Sequence, residues 1–194
     1  MEQLIANGKR TVLYVCLLHL SISATFAQSP STTPRCQVST SPVQVRAEGL
    51  TERLGDLLLQ CSGSPGTVFS ANLTLFLPVN VTNRVDANNL TRDAVVSVDL
   101  GGGFVPTAIA GQVASNGISF IGISYTAPLS GKFNLKISNI RAAMIQLGAT
   151  ATVPSSVTAS LSSALALDQS QVIVAYSQTG LLSNLSSKIG RAHV

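Results

Sequence analysis

Residues 69–77 read FSANLTLFL. Phe69, Ala71, Leu73, Leu75 and Leu77 share one side of an extended chain and Ser70, Asn72 and Thr74 the other, the period-two pattern of a half-buried β-strand. The pattern recurs in both directions. Upstream, Val43, Val45 and Ala47 alternate with Gln44, Arg46 and Glu48, and Leu57, Leu59 and Cys61 with Leu58 and Gln60. Downstream, a strand over 94–100 stops at Gly101, Gly102 and Gly103, and a hairpin follows whose arms meet at Asn116 and Gly117, the favoured pair for a type I′ turn. Its second arm changes parity between Phe120 and Ile121, which predicts a bulge over 120–122. Phe133, Leu135 and Ile137 alternate with Asn134, Lys136 and Ser138, with a further parity shift at Asn139 and Ile140. Val157, Ala159 and Leu161 alternate with serine and threonine, and residues 171–176 (QVIVAY) are apolar on both faces, as in a central strand. Glu48, Glu52 and Asp56 stand at helical spacing, but Gly49 and Gly55 interrupt them. About nine strands, separated by Gly, Pro and Asn, predict an all-β fold, an immunoglobulin-like or related antiparallel β-sandwich over residues 36–187.

The chain has 194 residues, of which 45% are apolar and 10% charged. That fits one packed domain, and it lies far below the roughly 25% charged content of an average domain, which excludes a disordered acidic or basic tail. The formal charge of +4 points to nucleic acid or an anionic membrane until its sources are located. Lys9 and Arg10 precede the run 11–27 (TVLYVCLLHLSISATFA), apolar first and small-residue later, which is the order of an export signal with cleavage between Ala27 and Gln28. Its apolar part is shorter than the roughly 20 residues of a spanning helix, so no membrane span is expected after cleavage. Val15 stands before Cys16 where a lipoprotein signal would want a small residue. Residues 28–35 (QSPSTTPR) have linker composition.

Residues 189–194, IGRAHV, match the translation of a common short-read sequencing adapter, in which Lys188 as AAG supplies the leading AG and a stop codon follows. Residues 188–194 are therefore expected to be an artefact, with the true chain continuing into downstream domains. Without 1–27 and 188–194, basic residues fall from 12 to 8 and acidic residues from 8 to 7, so +4 becomes +1. The basic balance dissolves, and no nucleic-acid partner is expected.

Cys16 leaves with the signal, and Cys36 and Cys61 are expected to form one disulfide in an oxidising, extracytoplasmic compartment. His19 lies in the signal and His193 in the tail, so 28–187 has no histidine for a Ser-His-Asp or Cys-His site, and two distant thiols make no zinc site. Glu48, Glu52, Asp56, Asp86, Asp93, Asp99 and Asp168 leave a glycosidase-type carboxylate pair as the open hydrolytic chemistry, although turn and strand-edge positions favour structural roles. Asp86, Asn88, Asn89 and Asp93 offer hard oxygen ligands for calcium at a spacing that matches no EF-hand loop. The Gly101 to Gly103 run lacks the Lys-Ser/Thr pair of a phosphate loop and reads as a turn. Asn72, Asn80, Asn89 and Asn184 begin Asn-x-Thr/Ser sequons, which matter only in a glycosylating secretory pathway. There is no tryptophan, and Phe76 stands on the polar side of its strand, either as a partner contact or as part of a second buried face. No catalytic, cofactor or metal residue is expected.

Within residues 45–84, VRAEGLTERLGDLLLQCSG and ANLTLFLPVNVTNR, echoed later by FNLKISNIRA, VTASLSSALAL and QVIVAYSQTGLL, resemble strand phrases of secreted β-sandwich proteins of acidobacterial type that have no assigned activity. The resemblance implies export, a sandwich and, in longer relatives, further β domains. It carries over no catalytic residue. The expected function is a non-enzymatic structural or interaction module of a secreted or surface-attached bacterial protein, serving adhesion, matrix structure or domain presentation to a protein or glycan partner. Two alternatives stay open: an accessory domain of a secreted enzyme whose catalytic region lies downstream, and a glycan- or ligand-binding sandwich marked by a concave cluster of exposed Tyr, Asn and Asp.

Overall fold

Wherever apolar and polar residues alternate, the backbone is extended and the apolar set points inward. The computed structural model describes residues 33–148 and 154–180. The export signal with its Ala27/Gln28 cleavage, the linker up to residue 32, Asn184 and the tail 188–194 lie outside the described residues. Among the described residues there are fifteen β-segments, ten of them four residues or longer, and one short 3-10 turn at Met144–Leu147. In chain order they are β1 (Arg35–Thr40), β2 (Val43–Arg46), β3 (Glu52–Arg53), β4 (Leu57–Ser62), β5 (Val68–Phe76), β6 (Leu90–Thr91), β7 (Val95–Asp99), β8 (Val105–Pro106), β9 (Gly111–Ala114), β10 (Gly117–Thr126), β11 (Lys132–Ser138), β12 (Arg141–Ala142), β13 (Ser155–Ser163), β14 (Ala166–Leu167) and β15 (Gln171–Gln178).

A six-stranded sheet runs β14-β1-β4-β11-β7-β8, a seven-stranded sheet runs β2-β15-β13-β5-β10-β9-β6, and β12 pairs with β3 in a small ribbon. Phe69 of β5 stacks on Phe133 of β11 with ring centroids 4.0 Å apart, so the two large sheets meet face to face. Between them lie Leu57, Leu59, Leu135 and Ile137 from one sheet and Leu73, Leu75, Ile118 and Phe120 from the other, all fully buried. The protein is an all-β sandwich of multiple sheets.

The first strand stitches the sheets together. β1 lies antiparallel to β4, the chain breaks at Ser41 and Pro42, and β2 continues parallel to β15 in the opposite sheet. At the crossing the Thr40 hydroxyl donates to the Ile173 carbonyl at 2.6 Å, and the Gly55 N–H donates to the Val174 carbonyl at 2.9 Å. A side chain on Gly55 would collide with the Ser41 carbonyl oxygen and sit 2.8 Å from that of Val174, so this approach requires glycine. Cys36 and Cys61 face each other across β1 and β4 and are joined by a disulfide, buried on the core side. β14 pairs only with Arg35 and Cys36; beyond it Asp168 accepts from the Val38 N–H at 2.8 Å and Gln169 donates to the Val38 carbonyl at 2.7 Å. Two side chains thus occupy backbone groups that a foreign strand would otherwise use.

Two local expectations change, the hairpin turn and the strand over 171–176. The hairpin turn is Ser115 and Asn116, one residue earlier than expected, and only Ser115 has positive φ, at 51°, so it is not type I′. Gly117 belongs to β10, where the Phe76 ring would lie 3.3 Å from any added Cβ, and the Asn116 amide holds the turn by donating to the Leu77 carbonyl. Residues 171–176 look apolar on both sides because of a bulge: Val157 pairs with Ala175 but Thr158 with Ile173, so Val174 and Ala175 both turn inward. The strand is second from the edge of its sheet, with Tyr176 exposed. The charged residues at helical spacing, Glu48 to Asp56, form turns and the short β3. The expected bulge in β10 is present between Phe120 and Ile123, with Gly122 at φ 83° and its N–H donating to the Asn72 side chain at 2.9 Å.

Candidate functional site

Each of the seven described carboxylates has a partner. Asp99 accepts from the backbone N–H groups of Gly101 at 2.8 Å and Gly103 at 2.9 Å and from the Asn134 amide at 3.1 Å, which shapes the turn after β7. The Gly101 N–H, then the Asn134 amide and the Gly103 N–H, hold its carboxyl below the usual aspartate range. Glu48 is likewise held down, first by the Gly180 N–H at 3.0 Å. Asp86 accepts from the Asn88 and Leu90 N–H groups, and Asp168 from those of Val38 and Gln169. Glu52 meets Arg46 at 3.2 Å, Asp56 meets Arg53 at 3.3 Å, and Asp93 meets Arg84 at 3.5 Å. Glu48 and Glu52 line one open cleft with Arg46, Leu50 and Thr51. A glycosidase acid needs a carboxyl pushed upward, whereas the two shifted groups here both move down.

The proposed calcium ligands also have local duties. Asp86 closes its own loop, Asn89 takes a left-handed φ of 59°, and Asp93 faces Arg84. Among the described residues no group of three or more Asp, Glu, His or Cys is placed to hold a metal ion. Of the described sequons, Asn72 accepts from Gly122 and Asn80 from the Ser115 hydroxyl.

The broadest feature is the outer face of the seven-stranded sheet. Its strands carry one charged side chain, Arg46 at the end of β2. The outward positions are Ser70, Asn72 and Thr74 on β5, Ser119 and Ser124 on β10, and Ser156, Thr158 and Ser160 on β13. Thr74 and Ser119 hydroxyls bond across strands at 2.9 Å. Three large apolar side chains break the carpet, Ile121 of β10 at 56% exposed, Phe76 at 46% and Tyr176 at 39%. Phe76 lies opposite Ser160 and Tyr176 opposite Ser156, four residues along β13, which corresponds to about 13 Å along the strand. The outer face of the other large sheet differs, carrying Arg35, Lys132, Lys136 and Asp99.

The two ends of the sandwich also differ. At one end, the loops after β4, β7 and β10 meet: the Gly63 N–H donates to the Gly131 carbonyl and the Gly66 N–H to that of Ala127. There Leu129 is 92% exposed, Val68 70% and Val105 66%. An apolar cleft of about 250 Å³ opens beside them, between Val98, Leu100, Val105, Pro106 and Tyr125. Lys136 lies over the ring of Phe104 at 4.7 Å. Glu48, Glu52, Asp56, Asp86 and Asp93 belong to the opposite end, before β4 and β7 and around β2 and β3. The sequence marks Leu129 only as one apolar residue in a Pro-Leu-Ser-Gly turn; long-range pairing gathers the cluster.

No family model matches the chain, and no curated protein matches it. Among solved structures, the crystal structure of BslA, a bacterial hydrophobin, aligns with 77% of this chain and 93% of its own at 12% identity and a TM-score of 0.26.

Proposed function

We propose that the protein is a non-enzymatic interaction module of a secreted or surface-attached bacterial protein, built as an immunoglobulin-like sandwich and serving adhesion, matrix structure or presentation of a neighbouring domain. The observation that carries this reading is the outer face of the seven-stranded sheet, charged only at Arg46 on the end of its edge strand β2, with Phe76 and Tyr176 exposed on it. Charged groups are expensive to desolvate, and interface cores are depleted in them. A broad surface of hydroxyls and amides with two aromatic platforms suits an uncharged, hydroxyl-bearing polymer. The engagement of every described carboxylate supports the non-enzymatic half, since each holds a backbone or pairs with an arginine. The disulfide and the lack, among described residues, of a helix long and apolar enough to span a membrane are compatible with life outside the cytoplasm.

The test inserts charge. Thr158→Lys places an ammonium in the middle of the neutral face, and Gln60→Lys places one on the other large sheet. Retention of the oxidised chain on the envelope and matrix fraction of the producing cells should fall about tenfold for the first and stay unchanged for the second. Equal retention of both, or turnover of glycoside, ester or peptide substrates by the wild type, refutes the reading.

A further inference from the structure

We infer that the cleft between Thr51, Thr82, Arg84 and Arg141 binds the carboxylate of an acidic sugar, a uronate unit of a polysaccharide. The inference goes beyond the neutral face, since none of these residues belongs to the seven-stranded sheet.

The site grows out of the small ribbon. β12 pairs with β3, Arg141 opposite Arg53, and on its other side Ala142 bridges Val81, so three segments lie side by side. Alternation turns Leu54, Val81 and Ala142 into the core and Thr51, Arg53, Thr82, Arg84 and Arg141 outward. The Thr51 and Thr82 hydroxyls bond to each other at 3.0 Å, and the Asn139 amide is fixed by donating to the Asp93 carbonyl at 2.7 Å. Together with Arg84, Asp93 and Arg141 they line a polar cleft of about 400 Å³.

Charge pairing singles out Arg141. Of the five arginines at this end, Arg46, Arg53 and Arg84 each meet a carboxylate, and Arg92 reaches the Ala108 carbonyl at 3.5 Å. Arg141 is half-buried, yet among the described residues its guanidinium has no hydrogen-bond or ion-pair partner. Its register partner is another arginine, and like charges directly opposite one another are unfavourable. A guanidinium that is partly desolvated, unpaired and faced by a like charge keeps its donor fork open to an anion. The Arg84–Asp93 contact is loose at 3.5 Å with the Arg84 side chain 92% exposed, so Arg84 can turn to the same ligand.

The chemistry chooses among anions. Arg84 and Arg141 against Asp93 leave one positive charge at the cleft, which matches a monoanion, whereas the second charge of a phosphate would face Asp93. A carboxylate lies flat in the guanidinium fork and takes two parallel hydrogen bonds. The two threonine hydroxyls and Asn139 add donors and acceptors of the kind that ring hydroxyls of a sugar need.

The test is a titration of the oxidised chain with trigalacturonate, followed by NMR amide shifts and by calorimetry. The fully methyl-esterified trimer, inorganic phosphate and an acetylated triglutamate peptide are titrated in parallel. Trigalacturonate is expected to move the amides of Thr51, Thr82 and Arg141, to bind about tenfold more tightly than the other probes, and to weaken with added salt. Arg141→Gln should lower its affinity about tenfold, and Arg92→Gln, at the same end, should leave it unchanged. Thr158→Lys should also leave it unchanged, which separates this site from the sheet face of the proposed function. Unmoved amides at the cleft of the wild type, equal binding of the methyl ester, phosphate or peptide, or equal losses for Arg92→Gln and Arg141→Gln overturns the inference.

Discussion

Breaking the Cys36–Cys61 disulfide is a perturbation whose cost follows from the structure. The two cysteines are register partners within a six-pair β1–β4 ladder, so the native backbone is held at this point with or without the covalent bond. The effect therefore falls on the unfolded chain. For a sequence separation of 25, the chain-entropy relation gives about 3.5 kcal/mol at room temperature. With a urea slope of about 2 kcal/mol/M, the unfolding midpoint should drop by roughly 1.5–2 M on reduction. Reduced wild type keeps the volume of both sulfurs, whereas the double variant Cys36→Ala with Cys61→Ala also empties space beside a fully buried core. The variant should therefore lose about 1 kcal/mol more than the reduced protein. Urea titrations of the oxidised, reduced and double-variant chains, followed by far-ultraviolet circular dichroism, supply the three midpoints. Oxidised and reduced midpoints that coincide would refute the reasoning, since the open β1–β4 loop would then cost the unfolded state nothing.

Three further outcomes follow from individual contacts. Phe133→Ala removes the ring that stacks on Phe69 between the sheets and should cost about 3–5 kcal/mol in the same titration. Asp168→Ala frees the Val38 N–H on the β1 edge, and size-exclusion chromatography should show concentration-dependent self-association that the wild type lacks. Asp99 contributes stability above its unfolded pKa of about 3.9, and that contribution is lost as pH falls through its lower folded value. The Gly101 and Gly103 amides should accordingly lose exchange protection below that range, measured by NMR, and Asp99→Asn should flatten the response.

Much of the fold was legible because a strand with one buried face writes its orientation into adjacent residues. Residues 69–77, the 133–138 alternation and the 157–161 alternation place their apolar sets in the core as read, and the cysteine pair meets in register. Three features escaped because they depend on partners distant in sequence. The Asn116-Gly117 signal is displaced by the Phe76 ring over Gly117, which comes from a strand about forty residues earlier. The double apolarity of 171–176 encodes a bulge at Val174 against β13, and local composition cannot distinguish that from a strand covered on both sides. The transfer of the first strand between sheets at Ser41 and Pro42 rests on the fit of Gly55 under Val174. The neutral face was half visible, in the serines alternating along 155–163, but its breadth needed the sheet order. The apolar loop end was invisible, since Val68, Val105 and Leu129 are unrelated in sequence.

On the proposed function, the protein works by contact through the outer face of its seven-stranded sheet. Hydrogen exchange, compared for the chain free and bound to the envelope and matrix fraction of the producing cells, reads that contact directly. Protection is predicted in β5, β13 and β15, around Phe76, Thr158 and Tyr176, with β4 and β11 unchanged. Protection confined to β4 and β11 would contradict it.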